Sequence, residues 1–149
     1  PERREEKTTE GGLDLIKNFS NIKNISDELC SAGVRVSLFI APEIGQIDKA
    51  IEMKVPIIEL HTGNYADFKG EEKDKELIKI QHATQYARQA GILVNAGHGL
   101  HYENVQNIAK INGIHELNIG HAIVAKALFV GWENAVIEMK EIINECAKS

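Results

Sequence analysis

The chain has 149 residues, 43% of them hydrophobic and 26% charged, with a formal net charge of −5. That is enough for one globular domain of ordinary composition, and the acidic balance argues against the basic face that non-specific nucleic-acid binding needs. No apolar stretch approaches the roughly 18 residues of a membrane span and no signal-peptide pattern opens the sequence, so a cytoplasmic protein with no membrane partner is expected.

The charged opening, Pro1-Glu2-Arg3-Arg4-Glu5-Glu6-Lys7, lacks an initiator methionine and reads as the middle of a longer protein. Thr8-Thr9-Glu10-Gly11-Gly12 follows as a polar, glycine-ended loop. It is either a helix entry capped by a threonine or, with the rest of 1–12, a hinged lid whose hydroxyls meet a ligand. Leu15, Phe19, Ile22, Ile25 or Ser26, and Leu29 then recur at helical spacing, and Gly33 ends that helix. A strand is predicted over 34–40, a short helix over 43–54 after Pro42, and a strand over 57–61 after Pro56. A long helix over 70–90 carries Leu77, Ile80, Thr84 and Ala87 on one face and stops at Gly91. Beyond it come a strand over 92–96, a helix near 102–111, a strand over 115–119 and a short helix from His121. The last helix, over 132–147, turns Val136, Met139, Ile142, Ile143 and Cys146 inward, with Trp132 packing it. Cys30 and Cys146 lie far apart in helical segments, which predicts two buried or half-buried thiols of a reducing compartment rather than a disulfide.

A helix followed by four βα units, filling 13–149, argues for a parallel sheet with right-handed crossovers. Four such units are half of a TIM (β/α)8 barrel. Alternation divides each strand into two faces. Val34, Val36, Leu38, Ile40, Ile58, Leu60, Val94, Ala96, Leu117 and Ile119 form an apolar face for the helices. The opposite face carries Arg35, Ser37, Phe39, Glu59, His61, Asn95, Glu116 and Asn118. A sheet covered by helices on both sides could not easily bury that second set. A barrel lumen could, with Arg35 pairing Glu59 or Glu116. Glu59, His61, Asn95 and Asn118 are thereby candidates for function or for a structural hydrogen-bond network.

Three strands end in glycine and histidine: His61-Thr62-Gly63, Gly97-His98-Gly99 and Gly120-His121. Chemistry in α/β folds sits at such carboxyl ends. Gly120-His121 opens a helix whose unpaired N–H groups could hold a phosphate, with Gly97-His98-Gly99 as the matching loop. A histidine between glycines can act as an acid or base near neutral pH. The rival chemistry is a three-histidine metal site of His61, His98 and His121, as in a metal-dependent TIM-barrel hydrolase. His82, His101 and His115 are expected to be solvated or to pack. A third reading is a half-barrel fragment that binds phosphate or self-associates without turnover, its open sheet edges favouring pairing.

The spaced combination of Thr8-Thr9-Glu10-Gly11-Gly12-Leu13-Asp14, Val36-Ser37-Leu38-Phe39-Ile40, Glu59-Leu60-His61-Thr62-Gly63, Val94-Asn95-Ala96-Gly97-His98-Gly99-Leu100 and His115-Glu116-Leu117-Asn118-Ile119-Gly120-His121 strongly resembles pyridoxine 5′-phosphate synthase. The resemblance runs the whole chain. It implies a TIM barrel, of which 1–149 is the C-terminal portion of a single domain, and no metal or organic cofactor. It further implies condensation of 1-deoxy-D-xylulose 5-phosphate with 3-amino-2-oxopropyl phosphate to pyridoxine 5′-phosphate, inorganic phosphate and water. Carried over by position, His98 is the proton donor and Glu59 stabilises a transition state. Gly99, Gly120 and His121 hold the amino-ketone phosphate, and Thr8 or Thr9 touches the deoxyxylulose phosphate. A homo-oligomer, commonly a tetramer of dimers, is implied as well. So are four further βα units ahead of Pro1, without which activity of this chain alone is not expected.

Overall fold

The computed structural model describes residues 11–147, so Thr8, Thr9 and most of the predicted lid lie outside the described residues. Along them run α1 (Phe19–Ser31), β1 (Ser37–Ile40), α2 (Ile44–Met53), β2 (Ile57–His61), α3 (Gly63–Asp67), α4 (Gly70–Gln89), β3 (Leu93–Gly97), α5 (Val105–Ala109), β4 (Ile114–Asn118), α6 (His121–Val130) and α7 (Trp132–Ala147). The strands form one sheet in the order β1-β2-β3-β4, each pair parallel. This is an α/β fold compatible with part of a TIM barrel. Among the described residues, no helix is long and apolar enough to cross a membrane.

The apolar strand face packs as its pattern predicts from Val36 on, whereas Val34 is 49% exposed. Leu38, Ile40, Ile58, Leu60, Val94 and Ala96 are all buried in one cluster with Ile47, Ala50 and Met53 of α2 and Ile80, Ala83 and Ala87 of α4. Leu117 and Ile119 pack against that cluster from its edge. Helix α4 forms where acidic Glu71 and Glu72 sit in the first turn and Arg88 in the last, each complementing the helix dipole. It ends where Gly91 takes a φ of +83°.

Several expectations need correction. The first strand starts at Ser37, not Val34, because its partner begins at Ile57 opposite Ser37 and Pro56 has no N–H to extend the ladder. Of the two alternatives on the α1 stripe, Ser26 is buried and Ile25 exposed, and Leu29 of the same stripe is 41% exposed rather than buried. Trp132 is 62% exposed rather than packed. It is the first residue of α7, and side chains lean toward a helix's N-terminus, so its ring projects off the end. Cys30 is exposed, whereas Cys146 is half-buried as expected. Arg35 is exposed and pairs with neither Glu59 nor Glu116 among the described residues: it precedes β1, and Phe39, four residues further on, is the residue opposite Glu59.

One-sided burial of α4 has a direct test. Ile80 is 0% and Ile78 65% exposed. Ile80→Ala should cost about 2–5 kcal/mol in urea unfolding, and Ile78→Ala no more than about 0.5 kcal/mol. Equal losses would mean that α4 packs on a different face.

Candidate active site

Strand register builds the site in two rows. Glu59 of β2 lies beside Asn95 of β3, which pairs with Glu116 of β4. Two residues on, His61 lies beside Gly97, which pairs with Asn118. Gly97 therefore leaves a gap in the middle of the second row, and the Glu59 side chain fills it. A Cβ on residue 97 would stand 2.3 Å from Glu59 Oε1 and 2.9 Å from the Asn118 carbonyl. Across that gap the Asn118 Nδ2 donates to Glu59 Oε2 at 2.6 Å.

Burial pushes the Glu59 carboxyl above its ordinary value, and the nearby negative Glu116 adds to the rise. The Asn118 hydrogen bond and the His98 charge oppose it. Asn95 is buried on the same face, and its Oδ1 has no hydrogen-bond partner.

Above Gly97 the chain turns sharply. His98 has a φ of +80° and Gly99 of +74°, two consecutive left-handed residues. For a non-glycine residue that conformation costs about 1–2 kcal/mol, so the surroundings must hold it. The His98 ring stacks on the His61 ring, centroids 4.6 Å apart and planes 24° from parallel. The ring of Phe39, on the same face of β1, lies 5.2 Å from the His61 ring. The Gly63 N–H donates to His61 Nδ1 at 3.1 Å, which places the proton of a neutral His61 ring on Nε2. The Thr62 hydroxyl reaches the Gly97 and His98 carbonyls at 2.8 and 2.6 Å. The loop beyond is held by Asn104, whose Nδ2 donates to the Gly99 carbonyl at 3.1 Å and whose Oδ1 accepts from the His101 N–H at 2.7 Å.

His98, Gly99, His101, Asn118, Gly120 and His121 border one cleft of about 450 Å³. Helix α6 starts on its rim. The Val124 N–H bonds to the Gly120 carbonyl at 3.0 Å, and no side chain caps Gly120. The N–H groups of His121, Ala122 and Ile123 thus have no partner within the helix, which suits an anion. A Cβ on Gly120 would meet nothing within 4 Å, so packing does not require glycine there. At Gly99 it does: a Cβ would stand 2.7 Å from Ala66 Cβ. A larger cleft, about 580 Å³, lies between 109–114 and Cys146 at the opposite strand ends, away from the histidines.

A family model for pyridoxal phosphate biosynthesis protein PdxJ matches residues 1–145. The chain belongs to the PdxJ family. Nearly its whole length is covered, so the match includes all four strand endings and the cleft at the ends of β3 and β4. Membership makes this PdxJ chain one of the biosynthetic enzymes of vitamin B6.

The fold brings His98, Gly99, Gly120 and His121 to one cleft and sets Glu59 beneath it, bonded to the cleft residue Asn118. It does not assemble the three-histidine metal site: His61 and His98 are stacked, and among the described residues no group of three His, Cys, Asp or Glu side chains could hold a metal ion. His82 and His115 are exposed as expected, but His101 lines the cleft. Thr62, Gly63, Gly97 and Asn104 escaped the sequence reading as supports of the site. Their only sequence signal was position beside the histidines.

The Glu59 environment yields a titration test. In carbon-detected NMR the Glu59 carboxyl should titrate above the ordinary glutamate range. Asn118→Ala removes a donor that favours the anion and should move the midpoint up; Glu116→Gln removes a like charge and should move it down. Shifts of the opposite sign would refute this account of the site's electrostatics.

Proposed function

We propose that this chain carries the proton-donor and amino-ketone-phosphate half of a pyridoxine 5′-phosphate synthase, its strands forming the last four βα units of a TIM barrel. The reaction is condensation of 1-deoxy-D-xylulose 5-phosphate with 3-amino-2-oxopropyl phosphate to pyridoxine 5′-phosphate, inorganic phosphate and water. The observation that supports it is one cleft shared by His98, the Gly99 loop and the uncapped start of α6. An imidazole and an uncapped helix start stand side by side there, in a chain of the PdxJ family.

In this reading the amino-ketone phosphate rests on the N–H groups of Gly99, Gly120 and His121, with charge complementing the α6 dipole. The exposed His98 imidazole then gives a proton to a departing oxygen during ring closure. Glu59, whose anionic form the Asn118 amide favours, faces positive charge developing on the amino nitrogen. Thr8 or Thr9 contacts the deoxyxylulose phosphate.

Two measurements in the intact enzyme test these roles. His98→Ala should leave the fold intact and slow turnover by about 10²–10⁴-fold. Glu59→Gln should lower kcat by about 10²–10³-fold while changing substrate affinity far less. Near-normal turnover in His98→Ala would remove the proton-donor role. Unfolding of Glu59→Gln with no separable kinetic effect would make Glu59 a structural residue.

The phosphate assignment is tested by calorimetry with each substrate separately. Gly120→Val should weaken 3-amino-2-oxopropyl phosphate selectively, because the branched side chain blocks the approach to the helix start that glycine leaves open. His121→Ala should act more mildly, since the backbone donors stay. Selective loss of deoxyxylulose phosphate would reverse the assignment of the two phosphate sites.

A further inference from the structure

We propose that Thr62 is the positioning residue for His98, its buried hydroxyl fixing the peptide plane that joins His98 to Gly99. The proposal rests on the reading of His98 as proton donor. Thr62 is 0% exposed, and its backbone N–H already donates to the Gly97 carbonyl at 2.8 Å. Its hydroxyl has a single proton, and of the two carbonyls in reach the His98 oxygen is nearer, at 2.6 Å against 2.8 Å. Gly97 has its donor without the hydroxyl. Among the described residues, the His98 carbonyl accepts from that hydroxyl alone.

One peptide unit then does two jobs. No peptide bond among the described residues is cis, and in a planar trans peptide the C=O and the following N–H point in opposite directions. Pinning the His98 carbonyl to the buried Thr62 turns the Gly99 N–H away from Thr62. The same constraint stabilises the left-handed backbone of His98, which an L side chain does not hold unaided. His61, the residue before Thr62, supports the His98 ring by stacking at 4.6 Å. Gly63, the residue after it, leaves the space both rings occupy: a Cβ there would stand 2.3 Å from His61 Cε1 and 3.0 Å from His98 Cδ2. Three consecutive residues thus supply a stacking ring, a hydroxyl tether and a gap.

The test compares Thr62→Val, Thr62→Ala and Thr62→Ser in the intact enzyme, following kcat, KM for each substrate, thermal midpoint and the Gly99 amide resonance. Loss of the hydroxyl should lower kcat by about 10–100-fold, the usual penalty for misplacing a reacting group. KM for deoxyxylulose phosphate should stay put and the Gly99 amide resonance should move. Serine should restore both kcat and the resonance. Alanine carries the comparison if valine does not fold. A hydroxyl-free variant that folds with unchanged kcat and an unmoved Gly99 resonance overturns the proposal, as does failure of serine to rescue. His98→Ala, run in parallel, separates the two ideas: near-normal turnover there sinks the proton-donor reading, whereas the Gly99 resonance still reports whether Thr62 orients the peptide.

Discussion

The absence of a side chain at Gly97 is the constraint on which the site depends. β3 runs between β2 and β4, and register sets residue 97 between His61 and Asn118. Any Cβ there would occupy the place of the Glu59 carboxylate. With glycine, Glu59 crosses the middle strand and meets Asn118 from the far one. The hydrogen bond ties β2 to β4 over β3 and fixes the carboxylate directly under the loop that begins at His98. A carboxylate, an imidazole and a helix start come together because one residue in the sheet leaves room.

Burial elsewhere lets the sheet carry this polar arrangement. Its outward face is apolar and closed over by α2 and α4, so the fold does not depend on hydrogen bonds inside the polar face. That freedom allows an unpartnered Asn95 oxygen, two carboxylates in one row and a strained His98 backbone. Each is unfavourable locally and tolerable because the packed face supplies the stability. The cleft-side loops are anchored from behind, by Thr62 on one turn and by Asn104 and the Tyr65 hydroxyl, 2.7 Å from the Asn104 carbonyl, on the next.

Much of the architecture was legible because periodicity reports burial. Alternation along the strands picked out the core-facing Ile58, Leu60, Val94 and Ala96, although Ile57, His61 and Asn95 of the opposite face are buried as well, and glycines at 33 and 91 marked where helices stop. The placement of His98, Gly99, Gly120 and His121 at strand ends was legible too, because apolar runs stop at them, and the fold brings all four to one cleft. Tertiary partners were not. Helix α3 opens with Gly63 and Asn64, poor helix formers, and exists because Tyr65 is buried. Arg35 had the right charge to pair Glu59, yet the strand register sets Phe39, four residues further on, opposite that carboxylate. Thr62 looked like a turn residue, since nothing in a sequence says that its hydroxyl reaches a carbonyl 36 positions later.

The central claim is that acid and anion site share one cleft at the ends of β3 and β4. A crystal structure of the intact enzyme with 3-amino-2-oxopropyl phosphate bound tests it most directly. The account predicts the phosphate against the N–H groups of Gly99, Gly120 and His121, with the carbon chain running toward the His98 ring and the amino group toward Glu59. A phosphate bound away from the start of α6, or a chain directed away from His98, would contradict it.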